Sequence, residues 1–365
     1  MENKNEIIYY HAFSCVGGFG PQRFRKLLAR FGSLERAWSA NRENLIASDI
    51  GPAAAENFLK KRENLSPEKL FAELREEKID IINQNHAAYP PQLKEVPSAP
   101  AVIYGRGNLE ILKNKSLAVV GSRKFTKYGE RVTQGLCRDL VRSGLTVVSG
   151  LALGIDAIAH RETLNVEGTT IAVLGTGIDD ATIYPRDNFN LAQNILSGGG
   201  ALISEFGPRT PSLKQNFPAR NRIMAGLALG TLVVEAALGS GSLITAGFSL
   251  DFNREVFAVP GDVFSPQSAG TNELIKNGAK LVQSAADILS ELNIKSAFPS
   301  QAQKIFSPGT KEEGAIWKVI SNEPLHVDRI SKLSKLNPAT VNSVLSVLEV
   351  EGVVKNVGGQ NYIRL

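Results

Sequence analysis

Ser116-Leu117-Ala118-Val119-Val120-Gly121-Ser122-Arg123 decides how the chain folds. Four apolar residues in a row, two of them β-branched, read as a strand buried on both faces, and a glycine ends it. Six further segments of this kind are expected at 145–149, 170–174, 201–204, 230–235, 255–259 and 279–282. Each is short, rich in Val, Ile or Leu, and followed by Gly, Ser or Pro, with helical periodicity in between. The alternation predicts an α/β domain over 66–291: an extended Rossmann-like, doubly wound, mainly parallel sheet. Within it, Tyr89-Pro90-Pro91, Val96-Pro97 and Ala99-Pro100 mark 66–110 as a connecting segment with turns.

Residues 1–65 read as a separate helical domain with a partial repeat. Val16-Gly17-Gly18-Phe19-Gly20-Pro21 precedes Phe24, Leu27, Leu28 and Phe31, and Asp49-Ile50-Gly51-Pro52 precedes Ala55, Phe58 and Leu59. Glycine allows the turn, and proline suits the first helical position, where a missing N–H costs nothing. Such units resemble helix-hairpin-helix (SAM-like) modules, whose amides hold a DNA phosphate, although Asp49 stands where that motif has Gly. A small packing domain fits the same residues, and the two readings stay open. Residues 292–310 lose periodicity and read as a linker. The tail, 311–365, reads as a winged helix: Asn337 caps a third helix with Val341, Val344, Leu345 and Leu348 on one face, and Gly358-Gly359 turns the wing.

With 365 residues, 43% hydrophobic and 21% charged, the chain carries enough apolar side chains for two or three domains. The net charge of +5 suits a nucleic-acid partner without requiring one. Cys15 and Cys137 lack metal spacing and read as reduced core thiols of a cytoplasmic protein. The opening Met1-Glu2-Asn3-Lys4-Asn5-Glu6 has no signal-peptide pattern, and the longest apolar stretch, 223–234, is too short for a bilayer.

A nicotinamide site needs a glycine-rich first turn and an acid after the second strand. Here those places hold Gly121-Ser122-Arg123-Lys124 and Val147-Val148-Ser149-Gly150-Leu151. The phosphate-gripping loop of an ATPase, Gly-x4-Gly-Lys-[Ser/Thr], is missing from the sequence. Hydride transfer and ATP hydrolysis are therefore set aside. In an open parallel sheet the ligand sits outside the carboxyl ends of the strands. Gly121, Ser122 and Arg123 are expected there, with Lys214, Phe217, Arg220, Asn221 and Arg222 from a second cluster. The anion-attracting helix start Gly239-Ser240-Gly241-Ser242 joins them. Lys and Arg neutralise phosphates, and Phe217 offers a stacking face or else closes the loop as a core residue. Asn221 bonds a base edge or braces the loop, and one Arg has Glu205 as an alternative partner. Asp156 and His160 read as capping and packing, and Asp179-Asp180 as a solvated turn. No catalytic residue, metal or cofactor is expected. The tail's third helix presents Thr340, Asn342, Ser343, Ser346 and Glu349 without Lys or Arg, which suits duplex DNA poorly.

Together these strings resemble the DNA-processing protein A family (DprA, also called Smf). The matches are Gly121-Ser122-Arg123, Ser149-Gly150-Leu151-Ala152 with Gly154-Ile155-Asp156 and His160, Tyr184-Pro185 with Asn188, and Ser204-Glu205. Phe217-Pro218 with Arg220-Asn221-Arg222, Glu235-Ala236 with Ser240-Gly241-Ser242, Pro260-Gly261 and Gly270-Thr271-Asn272 complete them. The resemblance is dense over 90–290. It implies a cytosolic bacterial homodimer that binds single-stranded DNA and loads a RecA-type recombinase on it during natural transformation and homologous recombination. It also implies that Arg123, Lys214 and Phe217 touch the DNA. Two rivals remain: a nucleotide-cleaving enzyme of the Rossmann-like lysine-decarboxylase-like group, with Glu235 beside Gly239–Ser242, and a duplex-binding regulator acting through the winged helix.

Overall fold

The computed structural model describes residues 4–295, 308–350 and 352–364. The chain divides into two compact units, Met1–Ala297 and Phe298–Leu365. Most of the linker expected over 292–310 lies outside the described residues, as does the opening Met1-Glu2-Asn3.

The first unit is built on nine strands: β1 (Asp80–Asn83), β2 (Val102–Gly107), β3 (Ser116–Val120), β4 (Thr146–Ser149), β5 (Thr170–Val173), β6 (Ala201–Ser204), β7 (Gly230–Val233), β8 (Glu255–Ala258) and β9 (Lys280–Leu281). Their order is β1-β2-β6-β5-β4-β3-β7-β8-β9. From β6 to β9 every pairing is parallel, and β3 through β7 are buried along their whole length, as continuous apolar runs require. The fold is therefore the extended Rossmann-like, mainly parallel sheet. β3 lies between β4 and β7: the chain winds outward through β4, β5 and β6, then returns to the other side of β3. That reversal makes the carboxyl ends of β3 and β7 the topological switch point, where open α/β sheets hold ligands.

The segment 66–110 is more than a connection. Ser66 caps the helix Pro67–Glu76, and β1 pairs antiparallel with β2 and β2 with β6, completing one edge of the sheet. The prolines that suggested turns fall between these two strands. Nor do residues 1–65 stand apart. Helices Lys4–Val16, Pro21–Phe31, Leu34–Trp38, Arg42–Ala47 and Pro52–Arg62 gather Phe13, Phe19, Phe24, Trp38 and Phe58, and this core runs on without a break into Tyr104, Leu174 and Leu202 of the sheet layer. His11 Nδ1 lies 3.0 Å from the buried Tyr104 hydroxyl across that junction. Pro21 and Pro52 open their helices as expected, and Arg23 Nε donates to Ile50 O at 3.1 Å, tying the two glycine turns together. Cys137 is buried, but Cys15 is exposed near the end of the first helix, not in the core as its residue type suggested. Among the described residues no helix is long and apolar enough to cross a membrane.

The second unit contains helices Lys311–Val319, Val327–Ser334 and Pro338–Val350 with β10 (Leu325–His326), β11 (Val354–Asn356) and β12 (Asn361–Arg364), ordered β10-β12-β11. Ile316, Ile330, Val341, Leu345, Leu348 and Val354 form its core. Asn337 Oδ1 caps the third helix by accepting from Thr340 N at 2.9 Å, and Gly358 and Gly359 turn the wing.

Candidate nucleic-acid interface

A crevice of about 730 Å³ opens at the switch point. Into it come the turn after β3 (Gly121, Ser122, Arg123), the loop before the helix Asn216–Leu227 (Lys214), that helix itself (Phe217, Arg220, Asn221), and the segment after β7 (Gly239, Ser240, Gly241, Ser242). Stretches more than a hundred residues apart thus converge on one rim.

The first turn is held rigidly. Ser122 N–H donates to Glu235 O at 2.7 Å, and Ser122 Oγ accepts from Lys124 N at 3.0 Å. Gly154 presses against it from the next loop: a Cβ there would lie 2.3 Å from Ser122 O and 2.7 Å from Arg123 Cα, and its φ of +85° already favours glycine. Arg123 and Lys214 are exposed, and neither has a hydrogen-bond or ion-pair partner among the described residues. Asp156 is the one carboxylate among the described residues lining the crevice. The site is therefore electropositive, with Arg123, Lys124 and Lys214 uncommitted among the described residues.

The remaining polar groups are scaffold. Arg220 is buried, donating to Gly150 O at 2.8 Å, to Val173 O, and to Asn221 Oδ1 at 3.3 Å. Burial pulls its guanidinium down to about 10, with Asp156 opposing and Arg123 adding, so it stays charged at neutral pH. Asn221 Nδ2 donates to Gly241 O at 3.1 Å, which fixes the start of the helix Gly241–Asp251. Of the two roles open to Asn221, bracing is the one its geometry serves. Asp156 accepts from Gly150 N at 3.1 Å; burial raises its carboxyl, and Arg220 opposes that rise. His160 Nδ1 lies 2.7 Å from Thr170 Oγ1, and burial pulls the ring down to about 3. Asp179 Oδ2 accepts from Thr182 Oγ1 and Arg209 N, bracing its own turn.

Arg222 departs from the expectation. Its guanidinium points away from the crevice and meets Glu205 at 2.5 Å, both side chains being largely buried. Arg220 and Arg222 are two residues apart, and helical spacing separates side chains at i and i+2. Arg222 faces a second groove with Gly18, Gly20, Pro97 and Ser98 instead. Glu235, the acid on which an enzymatic reading leaned, is 2% exposed and accepts from both Thr126 N (2.9 Å) and Thr126 Oγ1 (2.5 Å). It does not line the crevice.

Tyr184 was not among the residues expected to form the site. It is 45% exposed, lines the crevice, and sits 5.7 Å from the half-buried Phe217, ring centroid to centroid, tilted by 48°. Thirty-three positions separate the two in the chain, and nothing in local spacing pairs them. Together they make an aromatic wall beside Arg123 and Lys214.

Fold and crevice together define an extended Rossmann-like protein with an electropositive, aromatic-walled switch-point site. The sequence profile described as DNA recombination-mediator protein A matches residues 80–293, and that of the DprA winged helix domain matches 299–360. The protein Smf of Synechocystis sp. is 34% identical over 398 aligned positions, covering 99% of each chain. The DNA processing protein DprA of Streptococcus pneumoniae is 46% identical over 207 residues, 56% of this chain and 71% of its own. A crystal structure of DprA from that species superimposes with a TM-score of 0.69 at 35% identity, covering 78% of this chain and 97% of the other. DprA of Helicobacter pylori, whose structure was solved for its single-stranded DNA binding mode, gives a TM-score of 0.53 at 28% identity over 59% of this chain and 96% of its own. The chain belongs to the DNA recombination-mediator protein A (DprA/Smf) family.

Proposed function

We propose that the chain binds single-stranded DNA in the switch-point crevice, protects the incoming strand, and loads a RecA-type recombinase on it during natural transformation and homologous recombination. The observation that carries this reading is the set of uncommitted cations, above all Arg123 and Lys214 with Lys124 beside them, next to the aromatic wall of Tyr184 and Phe217. Phosphates meet the cations, and exposed bases stack on the rings at about 1–3 kcal/mol each, whatever their identity. A duplex hides those faces, so strand preference follows. The reading is non-enzymatic, since Glu235 is committed to Thr126. The third helix of the second unit, Pro338–Val350, contains no Lys or Arg, so duplex recognition through it lacks its main source of affinity.

Titration of fluorescent single- and double-stranded oligonucleotides over a salt series tests this. Single strands are expected to bind tighter, and a chain lacking residues 311–365 is expected to keep most of that affinity. Equal affinity for duplex, or loss of binding with the tail, would reverse the reading. A homodimer belongs to the same proposal. Leu238, Leu250, Val263 and Phe264 are all exposed on segments following β7 and β8, and β9 exposes both of its residues at the sheet edge. Sedimentation velocity is expected to give twice the chain's mass; a monomer at all concentrations would remove the dimer.

A further inference from the structure

One end of the crevice is the start of the helix Gly241–Asp251, and a buried hydroxyl there is left without a partner. Ser240 is the cap: its Oγ accepts from Ser242 N at 3.4 Å and lies 2.9 Å from Ser242 Oγ. The first turn contains no acid, so the positive end of the helix dipole is not neutralised from within. One turn on, Thr245 is wholly buried, lines the crevice, and its hydroxyl has no hydrogen-bond partner among the described residues. A threonine inside a helix ordinarily donates to the carbonyl four residues back. Here that carbonyl, Gly241 O, accepts from Asn221 Nδ2 instead. Buried hydroxyls are nearly always satisfied, and one held at a helix start in a crevice with free cations is matched to an anionic oxygen.

We infer that this end of the crevice seats a phosphomonoester, the terminal phosphate of a DNA strand. The inference rests on the crevice being the single-strand site. A terminal phosphate carries a charge of about −1.5 to −2 at neutral pH and three non-bridging oxygens. Those oxygens suit the positive end of the helix, the Ser240 and Ser242 hydroxyls and Thr245 together. An internal phosphodiester has only two such oxygens and carries a single negative charge. The same chemistry is offered by a free nucleoside monophosphate, which the experiment separates from a strand end.

The test uses the full chain and short oligothymidylates that differ only in bearing a 5′-phosphate, a 3′-phosphate or neither. One phosphorylated end is expected to bind about tenfold tighter than the bare strand, the worth of a hydrogen bond to a charged group. Thr245→Val is expected to abolish that preference, leaving phosphorylated and bare strands with equal affinity, and Thr245→Ser, which keeps the hydroxyl, to restore it. The melting temperature of the native chain is expected to rise with the phosphorylated strand more than with the bare one, a readout that does not depend on either variant folding. Equal affinity for all three strands overturns the inference and leaves the crevice reading standing. So does a preference that survives in Thr245→Val. Competition by thymidine 5′-monophosphate without any end preference assigns the seat to a free nucleotide and overturns the strand-end assignment. Failure of every oligonucleotide to bind removes the crevice reading itself.

Discussion

Arg123→Ala and Lys214→Ala are each expected to weaken single-strand binding about tenfold, the range of a charge-assisted hydrogen bond to phosphate. Each also reduces the slope of log K against log salt by about 0.7, the counterion release of one phosphate contact on a single strand. The double variant should lose about 1.4 from that slope. Neither change should move the melting temperature, because both side chains are exposed and neither has a partner to abandon among the described residues. Fluorescence anisotropy at several salt concentrations measures both quantities. Native affinity in the double variant would take the strand out of the crevice.

Arg222→Ala is expected to do the opposite. Its side chain is 11% exposed and pairs with Glu205, 14% exposed, so the variant leaves a carboxylate largely buried without its cation. Breaking such a pair costs about 3 kcal/mol of stability, read by urea unfolding, while the salt slope of DNA binding stays at its native value. The loss depends on pH. Burial already raises the Glu205 carboxyl above the usual carboxylate range, with Arg222 opposing, and removing Arg222 raises it further. A group whose folded pKa lies above its unfolded one stabilises fully below the unfolded value and loses that contribution as pH rises through the folded one. The variant should therefore be closer to native stability at pH 5 than at pH 8. A deficit independent of pH would mean that the buried carboxylate is not its source.

The contrast between Arg123 and Arg222 marks where the sequence was legible. All seven parallel strands were legible: β3 to β7 are buried on both faces and so apolar throughout, and β8 and β9 continue the same alternation with helices. Arg123 could be placed because its position follows from the strand end alone. Arg220, Asn221 and Arg222 could not be sorted, because a basic cluster on a helix divides according to where the axis points, and that is fixed by tertiary packing. β1 and β2 escaped because strands of four and six residues on either side of a proline-rich stretch carry too little periodicity. Tyr184 escaped because its partnership with Phe217 exists only across the fold.

The unbroken apolar seam between the N-terminal helices and the antiparallel strands decides where this polypeptide tolerates a cut. Severing it near residue 65 would bare Tyr104 and its neighbours to water and leave a sticky fragment. Parting the two compact units leaves two pieces that each keep an oily interior of their own. Expressed alone, residues 4–295 should therefore fold, whereas residues 66–295 should aggregate.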